Sequence, residues 1–72
     1  MTETRFSLDG KEFIDLSSLL KILTLVGSGG EAKIRIVNGE AMLNGEVETR
    51  RKKKLRPGDV VEFGEKIIRI DA

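Results

Sequence analysis

Two helical patterns meet at Gly27 with almost no linker between them, and this junction limits the folds that are open to the chain. Ahead of it, four leucines follow the i, i+3, i+4, i+7 spacing of one helical face: Leu16, Leu19, Leu20 and Leu23. Asp15 is a suitable N-cap for this first helix, which we expect to end near Gly27. Helices joined so closely should cross at a steep angle, so the sequence predicts two short helices in an L arrangement.

The second helix begins with the pattern of a capping box at Ser28–Glu31. In that motif the Ser28 side chain accepts a hydrogen bond from the third helical amide, and the Glu31 carboxylate reaches back to the amide of the cap. Glu31 and Arg35 have the spacing of a favourable ion pair along a helix. Asn38-Gly39 offers a left-handed residue at which this helix can end.

Strand patterns lie on both sides of the helices. Phe6 and Leu8 alternate with polar residues ahead of the turn dipeptide Asp9-Gly10, which predicts a short N-terminal strand or hairpin. Asn44-Gly45 predicts another hairpin, because these residues tolerate the positive φ angles of a type I′ turn.

The C-terminal part of the chain consists of turn and strand patterns. A turn with proline at its second position is predicted at residues 56–59, and two strands are predicted at residues 60–63 and 66–70. Together the patterns indicate an α+β fold, with two short helices in an L arrangement packed on a small antiparallel sheet. We expect a single domain over residues 1–72, because a chain of 72 residues can build one core at most.

Missing residue types exclude several functions. The chain has no Cys and no His, so it has no disulfide, no thiolate nucleophile and none of the usual zinc ligands. Any metal would therefore have to be bound by oxygen, and we expect no metal and no cofactor. The commonest general base is also absent, so we expect no enzyme activity. No apolar stretch approaches the roughly 20 residues that span a bilayer, and the N-terminus lacks the pattern of a signal peptide. The sequence thus predicts a soluble cytoplasmic protein.

Positive charge is concentrated in residues 50–56, the basic segment, which carries six positive charges and no negative one although the net charge of the chain is only +1. The other residues include seven basic and 12 acidic side chains, a balance of −5. A local positive potential of this kind attracts a polyanion. From the charges alone, a polyanion site and a solvated loop are equally expected.

A wider pattern runs from the second helix to the C-terminal turn. It consists of Ser28, Ala32, Ile36, Gly39, Ala41, Leu43, Asn44, Gly45 and Arg56–Glu62. This pattern covers about residues 14–64 and resembles the RNA-binding domain named after ribosomal small-subunit protein four, with its alpha-L motif. Ser28–Ile34 and Glu48–Arg50 are similar to the small stand-alone bacterial proteins of the YbcJ-like subfamily.

The resemblance implies a non-catalytic protein that binds structured RNA, with ribosomal or transfer RNA as targets. It places the RNA contacts at the start of the second helix and after the hairpin, at Ser28, Gly29, Gly30, Lys33, Arg50, Arg51, Lys52, Lys53 and Lys54. Gly29 and Gly30 stand where many family members carry Arg or Lys, so backbone amides would have to bind a phosphate there. The same residues are equally well explained as a plain capping box. We expect the protein to act as a monomer.

A second function stays open from the sequence, that of a protein-interaction or ribosome-associated adaptor whose basic segment meets an acidic partner. Phe6 and Phe63 follow apolar alternation that places them in the core, so no aromatic surface for stacking bases is predicted. Structured RNA, recognised through shape and phosphates, is therefore favoured over single strands.

Overall fold

Residues 2–72 are described by a computed structural model of the protein, in which they form seven strands and two helices. The elements are β1 (Thr2–Ser7), β2 (Ile14–Asp15), α1 (Leu16–Ile22), α2 (Gly29–Val37), β3 (Ala41–Leu43), β4 (Glu46–Val47), β5 (Lys54–Leu55), β6 (Val60–Phe63) and β7 (Lys66–Asp71). Neither helix among these residues has the length and apolar character needed to cross a membrane.

Five of the strands form one sheet in the order β1-β7-β6-β3-β4. In this sheet β3 pairs antiparallel with β4 and β6, and β6 pairs antiparallel with β7. β1 runs parallel to β7, with Thr2 opposite Lys66 and Ser7 opposite Asp71. The predicted α+β class is confirmed, but the sheet is mixed and not purely antiparallel. The parallel pair can form because the chain between β1 and β7 serves as the long crossover connection that parallel strands need.

The turns predicted at Asp9-Gly10 and Asn44-Gly45 both form, but only the second closes a hairpin. Asp9 and Gly10 adopt positive φ angles of 53° and 89°, yet β2, which follows them, pairs with β5 and not with β1. Asn44 and Gly45 have φ angles of 51° and 88° and join β3 to β4. The predicted hairpin with a type I′ turn at Asn44-Gly45 is therefore confirmed.

α1 begins as predicted and ends earlier than predicted. The Asp15 side chain caps the helix by accepting a hydrogen bond of 2.8 Å from the Ser18 amide. The last helical residue is Ile22, however, so the helix does not extend to Gly27. Residues 23–28 separate the two helices, and the expectation of almost no linker is therefore wrong.

A left-handed residue causes the early end of α1. Thr24 has a φ of +57°, and the Leu25 amide donates to the Leu20 carbonyl over 2.9 Å, which is a Schellman arrangement. The turn brings Val26 into the core, where it is 6% exposed. Burial of Val26 therefore outweighs the cost of placing a β-branched residue in the left-handed region.

α2 has the predicted cap with one change. The Ser28 side chain accepts a hydrogen bond of 3.1 Å from the Glu31 amide, as expected of a capping box. The Glu31 carboxylate accepts from the Gly27 amide over 2.8 Å, one residue before the cap, instead of from the amide of Ser28. The helix ends at Val37 and Gly39 follows with a φ of +83°, so the predicted left-handed end is confirmed.

The hydrophobic core contains side chains from both helices and from both sheets. The largest fully buried side chains are Leu16, Leu19, Leu20, Ile36, Leu55, Val61 and Ile68. Leu55 belongs to the basic segment, so one residue of that segment is anchored in the core.

Candidate nucleic-acid interface

The backbone of the basic segment is fixed against the start of α1. The Leu16 amide donates to the Lys53 carbonyl over 3.0 Å, and the Ser17 amide donates to the Arg51 carbonyl over 2.9 Å. Further along the segment, the fully buried Leu55 lies in β5, which pairs with β2. The basic segment is therefore an ordered part of the fold and not a free solvated loop.

Five of the six cationic side chains of the basic segment surround a shallow cleft of about 470 Å³, and the predicted site residue Arg51 is the one that does not line it. The five are Arg50, Lys52, Lys53, Lys54 and Arg56. Within residues 2–72, the side chains of residues 51–54 form no ion pair. The cleft thus presents uncommitted positive charge, to which the phosphates of a nucleic acid are suited ligands.

Arg50 is held by Glu48, whose side chain is almost completely buried. The Nε and Nη2 atoms of Arg50 donate to the two Glu48 carboxylate oxygens over 2.9 and 3.1 Å, and the Arg50 amide donates to the same carboxylate over 3.0 Å. The hydrogen bonds from the Arg50 side chain have the largest effect on the Glu48 carboxylate, and the bond from the Arg50 amide adds to it. Together they outweigh the opposing effect of burial and lower the pKa of Glu48 to about 2. The same pair raises the pKa of Arg50. Glu48 thus fixes the start of the basic segment and offsets the charge of Arg50.

The other predicted site residues form an exposed group at the start of α2, the helix corner, which comprises Ser28, Gly29, Gly30 and Lys33. The Ser28 oxygen already accepts the capping hydrogen bond, and the Glu31 carboxylate adds a negative charge at the same helix end. A Cβ atom built on Gly29 would lie 3.8 Å from the Nζ atom of Lys21, so a cation of α1 also lies at this corner. The sequence did not single out Lys21, because its closeness to Gly29 follows only from the packing of the two helices.

The cleft and the helix corner lie at opposite ends of α1. The basic segment contacts the first turn of α1 through the amides of Leu16 and Ser17, whereas Lys21, next to the helix corner, is in the last turn. α1 contains seven residues and is therefore about 10 Å long. The predicted site residues thus form two groups joined by one short helix.

Phe13 lies beside the cationic cleft, and sequence reasoning missed it. Its ring centroid is 4.8 Å from Lys54 Nζ and 5.7 Å from the guanidinium carbon of Arg56, and the residue is 37% exposed. Phe63, by contrast, is buried as predicted. The expectation that no aromatic surface is available is therefore wrong at Phe13. The neighbours of Phe13 are set by the pairing of β2 with β5, which no local sequence pattern predicts.

The chain belongs to the S4 domain family, which matches residues 6–71. YbcJ of Escherichia coli (strain K12) is 40% identical over 58 residues, which cover 81% of this chain and 83% of YbcJ. RlbA of Bacillus subtilis (strain 168), named as a probable ribosome maturation protein, is 43% identical over 52 residues, covering 72% of this chain and 73% of RlbA. The solution structure of E. coli YbcJ, described as revealing an alpha-L motif involved in RNA binding, superimposes with a TM-score of 0.72 at 35% identity and covers 94% of this chain and 86% of that one. The predicted family resemblance is thus confirmed.

Proposed function

We propose that this protein is a non-catalytic RNA-binding protein, with a single RNA-binding domain over residues 1–72. The observation that carries the proposal is the cleft, in which five Lys and Arg side chains surround one opening on a fixed backbone. Phosphate contacts alone do not distinguish RNA from DNA. The relatives supply that distinction, since YbcJ is described through a motif involved in RNA binding and RlbA is named for ribosome maturation.

Structured RNA suits this surface better than an extended single strand. Cations on a fixed backbone match a fixed arrangement of phosphates, which a folded RNA presents. Contacts at both ends of α1 would let the protein sense the shape of such an RNA over a distance of about 10 Å. Ribosomal and transfer RNA are the targets we propose, bound by a monomer in the cytoplasm, where these RNAs work.

The residues of the basic segment have different roles in this proposal. Lys52, Lys53 and Lys54 neutralise phosphates in the cleft as point charges. Arg51 is exposed but does not line the cleft, and it can hold a separate phosphate through two parallel hydrogen bonds. Arg50 contributes less, because its guanidinium is already bound to Glu48.

The helix corner has a supporting role in the same proposal. Lys33 adds one charge, and the amides of Gly29 and Gly30 point out of the start of α2, where the helix dipole favours an anion. The Ser28 hydroxyl can donate a hydrogen bond to a phosphate while its oxygen accepts the capping hydrogen bond. The Glu31 carboxylate opposes an anion at this position, so the cleft provides most of the affinity.

A matched pair of charge reversals tests the proposal. Lys52→Glu and Lys66→Glu change the net charge equally, and both lysines are exposed, but only Lys52 lines the cleft. Affinities are measured by fluorescence anisotropy for a folded RNA, an unstructured RNA and a duplex DNA. We expect the wild type to prefer the folded RNA, K52E to lose several-fold in affinity and K66E to stay close to wild type. Equal losses for the two variants, or equal binding of the three nucleic acids, would contradict the proposal.

A second candidate function is a ribosome-associated adaptor, which one observation favours. Ile34 and Val37 on α2 and Val47 on β4 are large apolar side chains that stay exposed, and Ile34 directly follows Lys33 of the helix corner. Exposed apolar residues next to a charged surface are typical of contacts with proteins. An adaptor would stay on ribosomal particles at a salt concentration that releases it from free RNA, and Val37→Glu would detach it. Release of the wild type from particles and from free RNA at the same salt concentration would exclude this function.

A further inference from the structure

We propose that Phe13, together with Lys54 and Arg56, forms a stacking site for one unpaired nucleobase of the bound RNA. The proposal rests on the proposed function, because it assumes that the cleft holds RNA phosphates, and it adds a base contact to a surface otherwise made for phosphates.

The pairing of β2 with β5 creates this arrangement. Ile14 lies opposite Leu55, and because side chains alternate along a strand, the neighbours of this pair point to the other face of the two-stranded sheet. Leu55 faces the core and is fully buried, which leaves Phe13, Lys54 and Arg56 together on the outer face. The observed distances of 4.8 and 5.7 Å from the ring to the two cations agree with this placement.

The Phe13 ring keeps exposed surface for a ligand although two cations lie over it. Phe13 is 37% exposed, whereas Phe63, which also has a cation over its ring, is 3% exposed. Exposed aromatic surface is unfavourable in water, so a flat apolar partner that covers the ring gains free energy. A recess of about 400 Å³ borders the ring, with Ile14 and Ile22 as apolar walls. Its polar groups include Lys11, Ser18 and the carboxylates of Asp9 and Asp15, which can contact the edge of an uncharged base.

A nucleobase is the ligand that explains both the ring and the cations. Lys54 and Arg56 line the cleft and also lie over the Phe13 ring, so they connect the phosphate surface to the aromatic one. A nucleotide whose phosphate lies in the cleft has its base only one sugar away from its phosphate. An acidic peptide would use the same cations but has no flat π surface for the ring, whereas bases stack on aromatic side chains irrespective of sequence and gain further from a nearby Arg.

The absence of other fluorophores makes the proposal directly testable. The chain contains no Trp and no Tyr, so Phe13→Trp introduces a single tryptophan at the site. Wild type, F13W and F13L are compared on two hairpin RNAs of otherwise equal sequence, one with a single bulged purine and one fully paired, after circular dichroism has verified that the variants are folded.

We expect F13L to bind the bulged RNA about tenfold more weakly than the wild type and to bind the paired RNA equally well. F13W should retain the affinity of the wild type, and the bulged RNA should quench its fluorescence more than the paired RNA does. Equal affinity of F13L and wild type for the bulged RNA, or an equal loss on both RNAs, would overturn the stacking site. So would F13W fluorescence that the paired RNA quenches as much as, or more than, the bulged RNA does. In each of these cases the proposed function still holds if K52E weakens binding, whereas a wild type that binds neither RNA refutes the function itself.

Discussion

Replacing Glu48 by glutamine should destabilise the protein at neutral pH but not in acid. In the folded protein the Glu48 carboxylate accepts three hydrogen bonds from Arg50, and its pKa is lowered from 4.5 to about 2. A lowered pKa in the folded state means that the ionised carboxylate stabilises the fold above pH 4.5. This stabilisation is lost as the pH falls through the folded pKa of about 2.

The magnitude follows from the pKa and from the exposure of the pair. A lowering from 4.5 to about 2 corresponds to at most about 3 kcal/mol. Glu48 is buried, but the side chain of Arg50 is 71% exposed, so solvent screens the interaction. We therefore expect E48Q to lower the free energy of unfolding by about 1 to 2 kcal/mol at pH 7, and by almost nothing near pH 2.

Urea denaturation followed by far-UV circular dichroism measures this difference at several pH values. Glu46→Gln is the matched control, because it removes the same charge from an exposed residue that forms no ion pair within residues 2–72. A double-mutant cycle with Arg50→Gln should return most of the effect as coupling between the two residues. The reasoning is refuted if E48Q and E46Q have the same effect, or if the effect of E48Q does not change between pH 7 and pH 2.

Four further predictions concern the helix ends and the basic segment. Thr24→Gly should raise the free energy of unfolding by about 0.5 to 1 kcal/mol, since it removes a β-branched residue from a left-handed position. Gly39→Ala should lower the free energy of unfolding, because it places a side chain in a left-handed position at the end of α2. Urea denaturation measures both changes. Leu55→Ala should cost about 2 to 5 kcal/mol of stability in the same assay and should also weaken RNA binding, because it loosens the basic segment. Arg51→Gln should reduce the affinity for folded RNA more than Arg50→Gln, since Arg50 is already paired; equal reductions in an anisotropy titration would show that the pair opens on binding.

Features set by neighbouring residues could be predicted from the sequence. The caps at Asp15 and Ser28, the left-handed Gly39 and the turn at Asn44-Gly45 each depend on residues within four positions along the chain. The family pattern includes the second helix and this turn, which is why a resemblance based on them was confirmed.

Features set by distant residues could not be predicted. β1 pairs with β7 although more than 60 residues separate Thr2 from Lys66, and the small β2-β5 sheet involves two residues from each strand. Neither pairing has a local signal, because the long intervening chain and not a turn brings the strands together. The left-handed Thr24 was also unpredictable, since a β-branched residue is disfavoured in that conformation and only the burial of Val26 explains it.

The candidate site also has features that could be predicted from the sequence and features that could not. Its positively charged residues are contiguous in the sequence, so the basic segment could be predicted. Three other features of the site depend on tertiary contacts: the fixed backbone of the basic segment, the pairing of Arg50 with Glu48 and the exposed ring of Phe13. The residues that make these contacts have no distinctive pattern in the sequence. Charge could thus be located from the sequence, but which of the charges is free to bind could not.

The salt dependence of RNA binding tests the central claim most directly. If the cleft and the helix corner neutralise about four to six phosphates of a folded RNA, the logarithm of the association constant should fall with the logarithm of the salt concentration with a slope of about −3 to −5. Arg51→Glu/Lys52→Glu should make this slope shallower by about 2, and Arg50 is left unchanged because a carboxylate there would repel Glu48. A slope near zero for the wild type, or an unchanged slope for the variant, would contradict the claim that this segment binds RNA phosphates.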